Sequence, residues 1–313
     1  MITRFSIPAL AFLLAAAATG RAGEAVSAPA GAPAPPVESG GRPAGWLATT
    51  FGYTHQFETD VDGSDTAFSA DRWQLEAGTR IPFSDAFAVA IGLEAEWSQY
   101  EFDRFGSVGD GLAAPADDLF STQAGAIGFY EINESWELVA GGSISWGGDL
   151  DADFEDGLGA TGLLGLTYRF TPNFSLTPGV LALSRLEDDA LVIPVIGMDW
   201  QINNVWRLRS IGPGAELTWQ ASDQWGFFLR GLYRSRDYRL APDASQPSGV
   251  LRERTFPLSL GVEWKPNASV TAAVFGGAIV GGRLELQEED GRSVFDEDYD
   301  VTPIAGGSLK ILF

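Results

Sequence analysis

The chain of 313 residues contains one histidine and no cysteine, which narrows the chemistry it can carry out. Without thiols there is no disulfide framework, no thiolate metal site and no lipobox anchor. Acyl transfer and lipid hydrolysis need a histidine beside a nucleophile or carboxylate. The sole candidate is His55, in FGYTHQFETD, with Asp60 and Asp62 downstream. Phe51, Tyr53 and Phe57 share its alternation, so it reads as one ring in an interfacial face, and no catalytic residue is expected. In DLDADFEDG, Asp149, Asp151 and Asp153 alternate as in a calcium loop, but Phe154 stands at the sixth position and Ala160 at the twelfth, where such a loop needs Gly and Glu. No metal site and no cofactor are expected. The loop, with Glu155, reads as solvated acidic chain, able to meet lipopolysaccharide through bridging cations. VFGGAIVGGRLEL is followed by neither a helix nor GK[ST], so its glycines belong to strands that bend or pack closely rather than to a phosphate loop.

The remaining charges are more informative, because they recur at alternate positions between apolar residues. Arg72, Glu76, Arg80, Glu94, Glu96, Glu137, Arg169, Arg185, Asp199, Arg207, Arg209, Glu216, Arg230, Arg234, Glu253, Glu263, Arg283 and Lys310 all fall on the polar face of an alternating segment. Both signs are present. Such a set either neutralises itself inside a closed structure or lines a wet passage with some charge preference. The most cationic stripe is FFLRGLYRSRDYRL, with Arg230, Arg234 and Arg236. It is read first as a set of partners for glutamates on the same inner face, and second as a selector for anions.

A period of two positions these groups on strands. Trp73, Leu75, Ala77, Ile81 and Phe83 oppose Gln74, Glu76 and Arg80; Trp136, Leu138, Ile144 and Trp146 oppose Glu137, Ser143 and Ser145. No segment sustains a helical period. The expectation is an all-β chain with strands near 46–57, 71–83, 87–103, 118–132, 134–147, 158–170, 173–185, 191–202, 204–211, 213–221, 224–239, 250–265, 268–286 and 295–313. Alternate connections are very short (SDA, NES, TPN, NN, SD, PNA), and the others are longer and mostly acidic. Short turns on one side and long loops on the other mark an antiparallel up-and-down transmembrane β-barrel. Fourteen strands place both termini on the short-turn side. Across RLRSIGPGAEL, two short strands or one bulged strand both fit, and twelve is the second choice. Aromatic rings gather beside the short turns, including Phe83 and Phe87, Trp200 and Trp206, Trp219 and Trp225. A bilayer interface explains that grouping, whereas a soluble exported β-domain has no use for it.

Residues 1–22 have a signal peptide's form: Arg4, an apolar run, then small residues. The run is too short for a transmembrane helix. Residues 23–45 form a Pro/Ala-rich lead unable to bury a core, and 46–313 form the barrel. A net charge of −22 argues against nucleic-acid partners.

The run IPVIGMDWQINNVWRLRSIGPGAELTWQASDQWGFFLRGLYRSRDYRL, residues 193–240, resembles an uncharacterised family of bacterial outer-membrane β-barrels, a domain of unknown function. The likeness rests on a Gly-x-x-Trp strand, the Asn-Asn turn, a Trp-x-Leu strand, a central Gly-Pro and an aromatic strand ending in Tyr-Arg. It implies location in the bacterial outer membrane and architecture, and supplies no functional residues. The expected function is porin-like passage of small polar solutes. The alternative is a closed structural or surface-interaction barrel with an ion-paired lumen. Tyr299, Leu309, Ile311 and Phe313 share the register of the last strand and end on an aromatic. That pattern resembles the signal read by barrel-assembly machinery, which is therefore an expected partner beside outer-membrane lipid and lipopolysaccharide.

Overall fold

The computed structural model describes residues 46–103, 117–186, 188–210, 213–241, 249–289 and 291–313; the expected signal peptide and lead lie outside them. Ten strands run first: β1 (Trp46–Asp60), β2 (Ala67–Pro82), β3 (Phe87–Asp103), β4 (Asp118–Glu131), β5 (Trp136–Gly148), β6 (Leu158–Thr171), β7 (Phe174–Arg185), β8 (Asp188–Gln201), β9 (Trp206–Ser210) and β10 (Gly214–Gln220). Eight segments follow: β11 (Trp225–Leu232), β12 (Arg234–Arg239), β13 (Val250–Thr255), β14 (Pro257–Asn267), β15 (Val270–Ile279), β16 (Gly282–Gln287), β17 (Ser293–Tyr299) and β18 (Thr302–Leu312). Each of the last four barrel strands is therefore two segments: β11 with β12, β13 with β14, β15 with β16, and β17 with β18. Neighbours pair antiparallel around the wall, and β18 pairs with β1 from Ala48↔Leu312 to Gln56↔Ile304. The result is a closed fourteen-stranded transmembrane β-barrel. RLRSIGPGAEL resolves into two short strands, β9 and β10.

The short turns are built by their own side chains. Asn133 Oδ1 accepts the amides of Ser135 and Trp136, Asn203 Oδ1 those of Val205 and Trp206, and Ser222 Oγ those of Gln224 and Trp225. Such local bonds offer the backbone a tight reversal in place of the ladder. The rings beside these turns meet across strands: Trp206 with Trp219 at 5.9 Å, Trp219 with Phe227 at 5.2 Å, and Phe174 with Trp200 at 6.0 Å between centroids. At the other rim Tyr53, Trp73, Trp97 and Phe120 form a row with spacings of 5.5, 4.7 and 5.9 Å. Between the two rows the outer surface presents Leu75, Ile91, Leu93, Ile144, Leu164, Val180, Leu260 and Val274, all exposed. Exposed aliphatics between two aromatic belts suit a bilayer.

The main departure from the expected strands is a crease across four neighbouring ones. The ladder is interrupted at Tyr233, at Phe256, at Val280–Gly281 and at Asp300–Val301, and these positions line up across the sheet. Pro257 has no amide to donate there. Gly281 has φ +73°, which a side chain disfavours. At Gly282 an added Cβ would lie 2.0 Å from the Tyr299 ring. Beyond the crease, β12, β13, β16 and β17 form a four-stranded sheet that leaves the wall. It leans across the mouth of the barrel onto the inner faces of β2–β4. One cluster joins Phe68, Ala70, Tyr100 and Leu119 of the wall to Tyr238, Leu251, Leu284, Leu286, Phe295 and Tyr299 of this lid. At its free edge Arg239 bridges to Gly148 of β5.

Candidate functional site

The lumen carries charge at three levels. At the lid, Glu253 is 0 % exposed. Arg72 Nη2 donates to both its oxygens at 2.9 and 2.8 Å, Tyr100 donates at 2.9 Å and Tyr299 at 3.0 Å. Arg72, also buried, donates to Gln56 Oε1 at 2.9 Å. Beside it Glu96 accepts from Arg236 Nε at 2.6 Å and from the Tyr238 hydroxyl at 3.3 Å, with Arg234 at 3.7 Å. Arg236 Nη1 reaches Glu253 at 3.4 Å. Arg72 and Glu96 belong to the wall, while Glu253, Arg234 and Arg236 belong to the lid, so these bonds fasten one to the other. Buried charges persist only where paired and fully hydrogen-bonded.

Below the lid is a cavity of about 350 Å³. Its β2–β4 wall presents Gln74, Glu76, Glu94 and Gln123. Glu76 and Glu94 stand directly across the ladder from one another, and the Gln74 amide donates to both, at 3.0 and 2.7 Å. The facing wall presents Arg209 and Arg230, with Lys310 from β18 and Arg234 from the lid. Arg209 and Arg230 share one carboxylate: Arg209 Nη2 donates to Glu216 Oε1 at 2.8 Å, and Arg230 Nε donates to Oε2 at 2.8 Å. Strand position explains the opposition. In a ring of fourteen, β2 and β3 lie across the lumen from β9 and β10.

The third level lies near the short turns. Arg207 Nε and Nη2 donate to Asp199 at 2.9 and 2.5 Å. Arg169 bridges Glu137 at 3.0 Å and Glu131 at 3.3 Å. Arg80 lies over the Phe129 ring at 4.7 Å, a cation–π contact.

Several residues stand elsewhere than the sequence suggested. Glu253 is in the lid rather than on the barrel wall. Arg283 also belongs to the lid and pairs with Asp296 at 2.5 Å and Asp298 at 3.0 Å. The side chain of Arg185 is outside the described ones. Tyr299 does not share the outward face of the last strand. It is 4 % exposed, with its hydroxyl on Glu253, because the break at Asp300–Val301 reverses the phase between β17 and β18. Leu309 and Phe313 are exposed and Ile311 half-buried. The sequence reading missed Gln56, Ser98, Tyr100 and Tyr238 as members of the buried network. Their polar groups lie on the lumenal register, which is the signal that could have found them. His55 Nδ1 lies 2.8 Å from Asp71 Oδ1, to which the Tyr53 hydroxyl also donates, at 2.5 Å. This trio sits on the outer face beside the upper aromatic row.

Among solved structures, the chain is similar to the COG4313 outer membrane channel from Pseudomonas putida F1, at 10 % identity over 89 % of this chain and 99 % of that one, with a TM-score of 0.48. It is also similar to the P. putida toluene transporter TodX, at 12 % identity over 86 % and 90 % with a TM-score of 0.43. For the KdgM porin the values are 10 % identity, 83 % and 97 % coverage, and 0.32. No functionally curated protein matches the chain. The model of one family, described as a domain of unknown function (DUF6268), matches residues 57–307. The chain belongs to the DUF6268 family.

Proposed function

We propose that this protein is a bacterial outer-membrane channel for small polar solutes, closed from outside by its own folded-in sheet. The observation that carries this reading is the charged cavity beneath the lid. A barrel meant only to be filled would close that space with side chains, as eight-stranded barrels do, whereas wider ones leave channels. Here acidic and basic walls face each other across a space large enough for a small solute, which favours polar occupants over apolar ones. The acidic loop at Asp149–Asp153 suits cation-bridged contact with lipopolysaccharide. The outward Leu309 and Phe313 at the end of the chain suit recognition by barrel-assembly machinery. An enzymatic role has little support, since the histidine trio faces the bilayer interface rather than a substrate cavity.

One observation favours the second reading, a closed structural barrel: the lid is fastened by buried ion pairs. Planar-bilayer recordings separate the two. A channel gives stepwise conductance that grows when the lid is loosened by Glu253→Gln. A folded protein that conducts in neither form would overturn the channel reading and leave the structural one.

A further inference from the structure

The wall is not of even height. β9 and β10 span Trp206–Ser210 and Gly214–Gln220, only 5 and 7 residues, against 14 in the neighbouring β8. At about 3.4 Å per residue and a tilt near 40°, β9 rises about 13 Å, roughly half of an apolar band about 25 Å tall. Its foot is fixed at the short-turn interface by Trp206, which stacks on Trp219. β8 pairs with β9 only at Asp199, Trp200 and Gln201, yet pairs with β7 as far as Asp188. On the far side, β11 pairs with β10 up to Leu232, and β12 then turns inward with the lid. Among the described residues no strand continues the wall between upper β8 and β11.

The free edge of β8 is adapted to its position. Ser210 Oγ accepts the Met198 amide at 2.7 Å, ending the ladder with a side chain. Strand alternation then aims the backbone groups of Ile196, Pro194 and Val192 the same way. Pro194 has no amide to leave unpaired, the usual reason for proline on an edge strand. Both faces here are apolar. Val192 and Ile196 are 64 % and 70 % exposed on the outside. On the inside Leu191, Ile193 and Val195 are half-buried and pack on Leu163, Leu181 and Leu183.

We propose that this breach is a lateral opening at outer-leaflet depth, through which acyl chains and other bilayer-dissolved apolar molecules reach the inner face of β8. A polar solute has no route to a gap at that depth, whereas an apolar one meets aliphatic surface continuously from Ile196 round the edge to Ile193. The charged cavity reaches Leu232 and Tyr233 on the far side of the breach, and the opening adds an apolar ligand class to the polar one.

The chain has no cysteine, so single-cysteine variants can be labelled uniquely. Bimane is placed at Ile193→Cys, at Ile196→Cys on the lipid face, and at Gln123→Cys in the charged cavity. Each barrel, its folding checked by heat-modifiable migration, is reconstituted in vesicles of phosphatidylcholine with or without bromine midway along the acyl chains. Quenching at position 193 of at least half that at 196, and well above that at 123, is the expected result. Quenching at 193 no greater than at 123 overturns the opening, whether the label there meets water or protein. Should Ile193→Cys not fold, Val195→Cys carries the same readout. A protein without ionic conductance that still shows this quenching would lose the polar-channel reading and keep the lateral opening.

Discussion

Replacing Glu253 by Gln should release the lid while leaving the barrel standing. In the native structure this carboxylate is fully buried and accepts from Arg72, Tyr100, Tyr299 and Arg236. The variant keeps the shape but leaves Arg72 charged, buried and facing an amide. Breaking one side of a buried pair costs about 3–5 kcal/mol. The lower end applies, because the amide oxygen can still accept one or two of these bonds. About 3 kcal/mol is roughly a 150-fold change in an equilibrium. The closed lid should therefore open that much more often, a local event distinct from global unfolding. Amide hydrogen exchange on the folded protein in detergent reads this directly. Protection in β12, β13 and β16 should fall by about two orders of magnitude, while β5–β7 stay unchanged. Replacing both partners, with Arg72→Met and Glu253→Leu, removes the stranded charge and should recover most of the protection. Lid protection unchanged in Glu253→Gln would show that the apolar cluster alone holds the sheet. Equal loss throughout the barrel would show that the lid is not a separate opening unit. Either result refutes the latch.

Other perturbations follow from the same geometry. Glu216→Gln removes the carboxylate that Arg209 and Arg230 share on one wall of the cavity, so the reversal potential in a salt gradient should shift toward anions; an unmoved potential would detach this triad from the conduction path. Gly281→Ala places a side chain at φ +73° and should cost about 1–2 kcal/mol. Gly282→Ala must displace the Tyr299 ring and with it a donor to Glu253, so its loss of lid protection in hydrogen exchange should be the larger. Deleting Phe313 should lower the yield of assembled barrel in cells while leaving refolding in detergent intact; an equal loss in both settings would assign the residue to stability rather than to recognition.

Much of the barrel was legible because a membrane imposes constraints that survive in one dimension. Asn133, Asn203 and Ser222 mark turns by the same amide contacts that build them. The rings beside those turns, such as Trp206 and Trp219, show which end meets an interface. Even the doubtful RLRSIGPGAEL could be parsed, since Leu208 and Leu217 occupy opposite phases and are found paired across the β9–β10 ladder. The half-height wall was implicit in that parse. What it borders was not, because a strand's period says nothing about whether its neighbour is as tall.

The lid was hidden for a related physical reason. Alternation reports which side of a sheet a residue occupies, and it is unchanged when the whole sheet tips inward. Arg230, Arg234, Arg236 and Tyr238 keep one phase straight through the break at Tyr233, so FFLRGLYRSRDYRL reads as a single wall strand carrying a cationic stripe. Only the third dimension brings Arg234 and Arg236 onto Glu96, and Glu253 onto Arg72, across the mouth. Nor does phase register the crease at Asp300–Val301, since Tyr299 and Leu309 share one alternation although Tyr299 turns inward and Leu309 outward. A bend shared by four strands becomes visible in sequence only when Pro257, Gly281–Gly282 and Asp300–Val301 are known to be neighbours, which requires the register. Strand pairing, rather than residue type, therefore separates a wide channel with an arginine stripe from a barrel that closes itself with those arginines.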